Sequence, residues 1–370
     1  MAKIVRIEIT MVNLAPKVRR VDAIQSFVSQ ETPIVTIHDS DGAVGTGYSY
    51  TIGTGGASVI SLIKQTLAPS ILEKDPDRIE GIWREMLLST RATAVGAITS
   101  LAMAAIDTAL WDMKCRKAGL PLWKAAGGVR ESIPLYTTEG GWLHLDTETL
   151  VSDALEMQAQ GFKGAKIKIG CEHISDDDAR LKAVRAAVGE SFELMTDANQ
   201  SFSISEAKRR AKVLEANGIA WFEEPLPSDD VKGHEQLAAS TSVPIAVGES
   251  MYSISQFKDY LTSGAASIVQ VDVARIGGIT PWLKVAHMAE AHNVTVCPHF
   301  LMELHLPLVC AIPNAKWLEY IPQLDMITAS KIQIENGRAY PSEKPGLGID
   351  WDWAEIKDRA IVSDVVTEGI

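Results

Sequence analysis

Three acidic residues recur at one interval, and each closes a short apolar run. Asp197, Glu223 and Glu249 stand 26 residues apart (197 to 223 to 249). The runs before them are Phe192-Glu193-Leu194-Met195-Thr196, Ile219-Ala220-Trp221-Phe222 and Ile245-Ala246-Val247-Gly248. A strand, a turn and a returning helix take about 25 residues in a (β/α)8 barrel, so the interval is one barrel unit. Each acid then sits at the C-terminal tip of a successive parallel strand, where barrel enzymes keep their chemistry. Three carboxylates converging on one mouth repel one another unless a cation neutralises them. An oxygen-only ligand set suits a hard ion such as Mg²⁺, which keeps positions open for water or substrate.

The rest of the chain fits that frame. Ile4 to Val12 alternate, Ile34 to His38 form a β-branched run, and Asp39-Ser40-Asp41-Gly42 turns it into Ala43–Tyr48, which predicts an antiparallel sheet. Residues 57–126 read as helices, the Ala-rich stretch from Thr99 to Lys117 most clearly. From Ser132 strand and helix alternate, with strands expected at 133–137, 165–169, 192–196, 219–222, 245–247, 268–271, 294–297 and 317–318. The helix after the second of these opens on Ser175-Asp176-Asp177-Asp178, acidic where the helix dipole favours it. Beyond Pro322, Lys331–Ile334, Glu335-Asn336-Gly337 and Arg338–Tyr340 read as a hairpin folding back onto the N-terminal sheet.

Several classes of function are disfavoured. With 35 basic against 47 acidic residues the formal charge is −12, and no Lys/Arg-rich run offers a patch for nucleic acid or an anionic membrane. No apolar stretch approaches the ~20 residues of a membrane span. The first residues alternate like a strand and carry no signal core. The four cysteines (Cys115, Cys171, Cys297, Cys310) show no paired spacing and read as thiols of a reducing compartment. A cytoplasmic protein is expected. A Walker phosphate loop and GxSxG are both absent, and Gly277-Gly278 is too short for a dinucleotide fingerprint.

The other strand tips carry further candidates. Lys166 and Lys168 flank Ile167, so the two-residue strand period points both into the mouth. Two ammonium groups beside each other and near a cation depress each other's pKa, which makes one a usable base. A bare KxK is more often a solvated pair; three facing carboxylates argue otherwise here. The sixth strand runs to Asp272 and the seventh to His299, 27 residues on. Across neighbouring strands an Asp can orient an imidazole and leave its other nitrogen free for proton transfer. His38, His287 and His292 read as structural, and His305 as wall. Glu319 ends the eighth strand: protonated, it would donate a hydrogen bond to a substrate oxygen, and ionised, it is a salt-bridged surface acid. Asn199 is a candidate substrate or water contact. Glu224 faces away from Glu223, and the even spacing selects Glu223 for the metal.

A Lys on one side, a His–Asp pair on the other and a metal between suit removal of a proton next to a carboxylate. With these residues in place the chain resembles the mandelate racemase group of the enolase superfamily over nearly its whole length. The matching segments are Ala104 to Asp112, Lys166-Ile167-Lys168, Asp197-Ala198-Asn199-Gln200, Trp221-Phe222-Glu223-Glu224-Pro225, Gly248-Glu249-Ser250, Asp272 with Gly277-Gly278, and Pro298-His299-Phe300. A Lys or His base working beside Mg²⁺ is a property of that superfamily rather than a deduction from spacing. The resemblance implies an α/β fold, a modified TIM barrel (β/α)7β over 127–324, under an α+β cap of residues 1–126 joined by the tail 325–370. It implies Asp197, Glu223 and Glu249 as Mg²⁺ ligands, Lys166 as one base, His299 with Asp272 as the other, and Glu319 as electrophilic donor. Lys168 and Asn199 are expected to contact substrate.

In the branch with a lysine on the sixth strand Asp272 would be lysine, which it is not. Gly140-Gly141-Trp142-Leu143-His144 and Pro298 to His305 look most like acid-sugar dehydratases of the galactarate/talarate kind. The expected function is dehydration of a sugar acid to a 2-keto-3-deoxy acid by a homo-oligomer. The alternatives are a 2-hydroxy acid racemase and a barrel that binds a carboxylate without turning it over. Thr51-Ile52-Gly53-Thr54 in the second cap loop lacks the basic residues of diacid-specific relatives, whereas the first loop holds Lys17, Arg19 and Arg20. Mono- and diacids both remain candidates.

Overall fold

Alternation at the N-terminus becomes strand β1 (Ile4–Asn13), followed by a small hairpin of β2 (Arg20–Val21) and β3 (Ser26–Phe27), then β4 (Glu31–Asp39) and β5 (Val44–Tyr48). The computed structural model describes residues 2–27, 29–94 and 96–367. β1, β4 and β5 pair antiparallel. The expected turn between β4 and β5 is held by Asp39, whose Oδ1 accepts from Asp41 N (3.0 Å) and Ala43 N (2.8 Å).

The helix Ala97–Ala118 lies directly on β5. A Cβ on Gly47 would fall 2.2 Å from Ala109 N, so strand and helix backbones touch where no side chain intervenes. The helix also satisfies the edge strand: Thr46 N donates to Asp112 Oδ2 (2.9 Å) and Tyr48 N to Thr108 Oγ1 (3.1 Å). An edge that would otherwise template aggregation is thereby covered. Burial on almost every side explains why the helix is built from alanine.

The alternating half forms a parallel array in chain order: β6 (Ile133–Thr137), β7 (Gly164–Lys168), β8 (Glu193–Asp197), β9 (Phe222–Glu223), β10 (Ile245–Val247), β11 (Ile268–Val269) and β12 (Thr295–Val296). β13 (Leu318–Tyr320) pairs in parallel with β6, and an isolated parallel bridge joins Val296 to Ala315 just before β13. This is the expected (β/α)7β barrel under an α+β cap. Its interior is packed with Tyr136, Met195, Trp221, Ala246, Ile268, Cys297 and Trp317. Lys168, Asp197 and Glu223 stand side by side in register across β7, β8 and β9. Glu249, Asp272 and His299 lie two or three residues beyond β10, β11 and β12, on the loops rather than the strands.

The hairpin of β14 (Gln333–Glu335) and β15 (Arg338–Tyr340) corrects one expectation. It does not reach the N-terminal sheet. β15 pairs antiparallel with Ile133 and Pro134, the start of β6, while β13 pairs with Leu135 to Thr137. The hairpin thus fills the length of β6 that β13 leaves open. It is β16 (Ala360–Thr367) that crosses back and pairs antiparallel with β1. Among the described residues no helix is long and apolar enough to cross a membrane.

Because Gly47 has no room for a Cβ, Gly47→Val is expected to destabilise the protein by about 1–3 kcal/mol, the range for overpacking. Urea denaturation checks this; an unchanged midpoint would show that the helix can move off β5.

Candidate active site

Asp197, Glu223 and Glu249 converge, one carboxylate oxygen from each lying within 4.8 Å of the others, and all three are buried. Gly248 makes the approach possible. It takes φ +151°, and a Cβ there would stand 2.6 Å from the carbonyl carbon of Gln270. Asp197 Oδ1 accepts from Asn199 N (2.8 Å) and Oδ2 from Lys168 Nζ. Glu223 accepts from Lys166 Nζ (2.9 Å) and Trp221 Nε1 (3.1 Å). Burial, then the Asp197 charge, push the Glu223 carboxyl up to about 7 against the opposing pull of Lys166. Glu249 meets Arg275 Nη1 (3.4 Å) and His299 Nε2 (3.2 Å); these cations outweigh burial and hold its pKa below the usual range. Glu224 stays outside the trio, where Gln200 Nε2 donates to it (3.3 Å).

Both lysines enter the mouth, as the strand period requires, and both are buried. Lys166 does depress Lys168 as expected, but here the neighbouring acids prevail. Lys166 Nζ lies 2.9 Å from Glu223, 2.9 Å from Glu319 and 3.8 Å from Asp197. Burial disfavours the ammonium, but these carboxylates outweigh it and raise the Lys166 pKa well above its ordinary value. Lys168, which also donates to Asn199 Oδ1 (3.0 Å), is shifted the same way by Asp197 against burial.

On the opposite side His299 Nδ1 lies 3.0 Å from Asp272 Oδ2. Asp272 is held by four further donors or cations. Tyr50 Oη donates to Oδ2 (2.8 Å), Ala274 N and Arg275 N donate to Oδ1 (2.8 and 3.1 Å), and the Arg275 guanidinium approaches Oδ2. Burial raises the Asp272 carboxyl, but the hydrogen bond from His299 and the surrounding positive charge bring it down to about 2. Burial lowers the imidazole pKa, yet Glu249 and Asp272 prevail and raise it. The second nitrogen, expected to be free, faces Glu249. His305 lies behind the pair as wall: Val273 N donates to its Nε2 (3.0 Å), and burial takes its pKa down to about 4.

Glu319 behaves differently from the proton donor considered above. Its Oε1 accepts from Thr138 Oγ1 (2.6 Å), its Oε2 from Phe300 N (2.7 Å), and Lys166 pairs with it. Against the cost of burial, Lys166 and then His299 hold its pKa far below the usual range. In this arrangement it is an ionised acceptor.

Sequence reasoning missed Tyr50, Arg275 and Thr138. Arg275, three residues after Asp272 on one tight turn, was within reach of inspection. Tyr50 comes from the cap and carries no local signal. The cap also lines the cavity above the acids with Asp22, Gln25 and Ile52. Of the first-loop cations, Arg20 is buried against Glu139 and Gln323, and Lys17 pairs with Asp325 on the exterior (3.4 Å).

Comparison with known proteins gives the family. Residues 6–127 match the mandelate racemase / muconate lactonizing enzyme N-terminal domain, and residues 149–355 the enolase C-terminal domain-like family. The chain belongs to this family. L-talarate/galactarate dehydratase of Salmonella typhimurium is 37% identical, the match spanning 85% of this chain and 79% of the relative. A 3,6-anhydro-alpha-L-galactonate cycloisomerase of Streptomyces coelicolor is 33% identical, over 88% of this chain and 91% of the relative. The crystal structure of the Salmonella dehydratase with Mg and L-lyxarohydroxamate superimposes with a TM-score of 0.94 at 32% identity, covering 99% of this chain and 95% of that one.

If Asp272 sets the imidazole's basicity, Asp272→Asn in metal-free protein is expected to lower the His299 pKa. Imidazole NMR across a pH titration measures it, and an unmoved titration would assign the shift to Glu249 alone.

Proposed function

We propose that the protein is a Mg²⁺-dependent acid-sugar dehydratase, which removes the proton next to a carboxylate and expels the neighbouring hydroxyl to give a 2-keto-3-deoxy acid. The observation that carries the reading is the buried carboxylate trio flanked by two lysines on one side and the His299–Asp272 pair on the other. Three buried carboxylates converging to 4.8 Å, with no nitrogen or sulfur ligand among them, fit a hard divalent ion, and Asp197, Glu223 and Glu249 would hold it. When bound, Mg²⁺ supplies positive charge beside the substrate carboxylate, which makes the adjacent C–H acidic.

The protein's own groups then divide the work. With Asp197 and Glu223 engaged elsewhere, Lys166 loses two counter-charges, and the mutual depression expected of the lysine pair returns. Lys166 would take the α-proton as the base on its side. His299, protonated and oriented by Asp272, would donate a proton to the departing hydroxyl, so that water leaves and the enol formed ketonises. Lys168 and Asn199 would orient the substrate carboxylate. Glu319, by accepting from Thr138, Phe300 N and Lys166, would fix the lysine's position, and it could serve as a donor only after taking up a proton.

The similarity to a sugar-diacid dehydratase supports elimination. A racemase is the second reading, favoured by the two bases on opposite sides and by an isomerase among the relatives. We also place the protein in the cytoplasm, in keeping with its four free thiols, as a homo-oligomer whose mass light scattering would give.

Screening four- to six-carbon sugar acids with Mg²⁺ is expected to yield at least one semicarbazide-reactive keto acid. Exchange of the α-proton for deuterium with inversion, and no keto acid from any of them, would replace the lyase with the racemase. Glu223→Gln is expected to weaken Mg²⁺ binding and to lower turnover by at least 100-fold while the fold persists. Titration calorimetry and circular dichroism read both, and unchanged affinity would remove Glu223 from the ligand set.

A further inference from the structure

The cap hairpin of β2 and β3 is stitched to the barrel rim, so the residues at its tip have defined places. Leu143 N donates to Val21 O (3.0 Å), and Ala23 packs against Gly170, where a Cβ would come within 2.8 Å. Between them, Asp22 lines the cavity over the acids with only 6% of its surface exposed. Its Oδ1 accepts from Ile24 N and Gln25 N (2.8 Å each), which locks the turn. Among the described residues no hydrogen bond is made by its Oδ2. That oxygen is not sealed from solvent, so a donor entering the cavity can reach it.

The cations that line the cavity belong to the reacting end. Lys166 and Lys168 lie against the carboxylate trio, and Arg275 donates to Tyr50 Oη (2.9 Å) and Glu249 O (2.8 Å). The cap contributes an acid, an amide and an aliphatic group: Asp22, Gln25 and Ile52. Arg20, the buried cap-loop cation nearby, is ion-paired with Glu139.

We infer that Asp22 is a specificity residue selecting sugar acids whose far end carries hydroxyls, so that this enzyme takes aldonates in preference to aldarates. This rests on the dehydratase reading and adds the substrate's distal chemistry. A hydroxyl donates to Asp22 Oδ2 and completes its hydrogen bonding; a second carboxylate there meets like charge, and the Lys168 ammonium, whose charge also reaches Asp22, is already paired with Asp197. The preference would separate this protein from the similar L-talarate/galactarate dehydratase, whose galactarate is a diacid.

D-Galactonate and galactarate share their stereochemistry and differ only at C6, so they make the test. Binding to the Mg²⁺-loaded protein is measured by calorimetry and turnover by keto-acid release. Galactonate is expected to bind at least tenfold more tightly, and Asp22→Asn, which keeps the turn acceptor but removes the charge, is expected to shrink that ratio at least fivefold. Equal or tighter binding of galactarate, no binding of galactonate, or an unchanged ratio in Asp22→Asn overturns the inference. Keto-acid release without the preference would sink this inference alone. The preference without keto-acid release would uphold it and sink the dehydratase reading instead.

Discussion

Three carboxylates whose oxygens lie within 4.8 Å repel one another strongly in a buried site. At an effective dielectric of 20, two unit charges 4 Å apart interact by about 4 kcal/mol. Three such pairs rival the ~5–15 kcal/mol that holds a whole domain together. The surrounding structure can be understood as the supply of positive charge to that point. β7 delivers two lysines from one side, and the loops after β11 and β12 deliver Arg275 and His299 from the other. The Glu223 carboxyl nonetheless remains raised to about 7, so the compensation is incomplete. A divalent ion is the compact way to complete it.

That constraint also explains what could be read from the chain alone. The barrel was legible because each unit repeats apolar run, tip residue and helix at nearly constant length, and the acids mark the tips. The lysine pair was legible because a two-residue period leaves no choice of face. Proton positions were not. Whether Lys166 is a base or a clamped cation depends on Glu319, 153 residues further along (319 − 166), and on distances that periodicity does not carry. The hairpin at 333–340 was misplaced for a related reason: antiparallel character shows in the residues, but the strand edge left open does not.

The cap was the least legible part because its contributions are single residues on irregular backbone. Tyr50 and Asp22 reach the mouth from segments whose patterns reveal only a strand end and a turn. Yet Tyr50 does more than cover the barrel. Its hydroxyl donates to Asp272 and accepts from Arg275, which in turn holds Glu249. One phenol therefore ties the imidazole's orienting acid to a candidate metal ligand.

This coupling limits how far cap and barrel can change independently. A change of substrate at the distal end can be made on the β2–β3 hairpin, whose tip touches neither Asp272 nor Glu249 by hydrogen bond. A change at Tyr50 would instead leave the buried Asp272 with one donor fewer and release Arg275 from the phenol that accepts from its Nε, disturbing the proton-transfer side directly. The two cap segments thus carry different burdens. The hairpin is free to vary with the tail of the substrate, while the end of β5 and the residues just after it are held by the chemistry below.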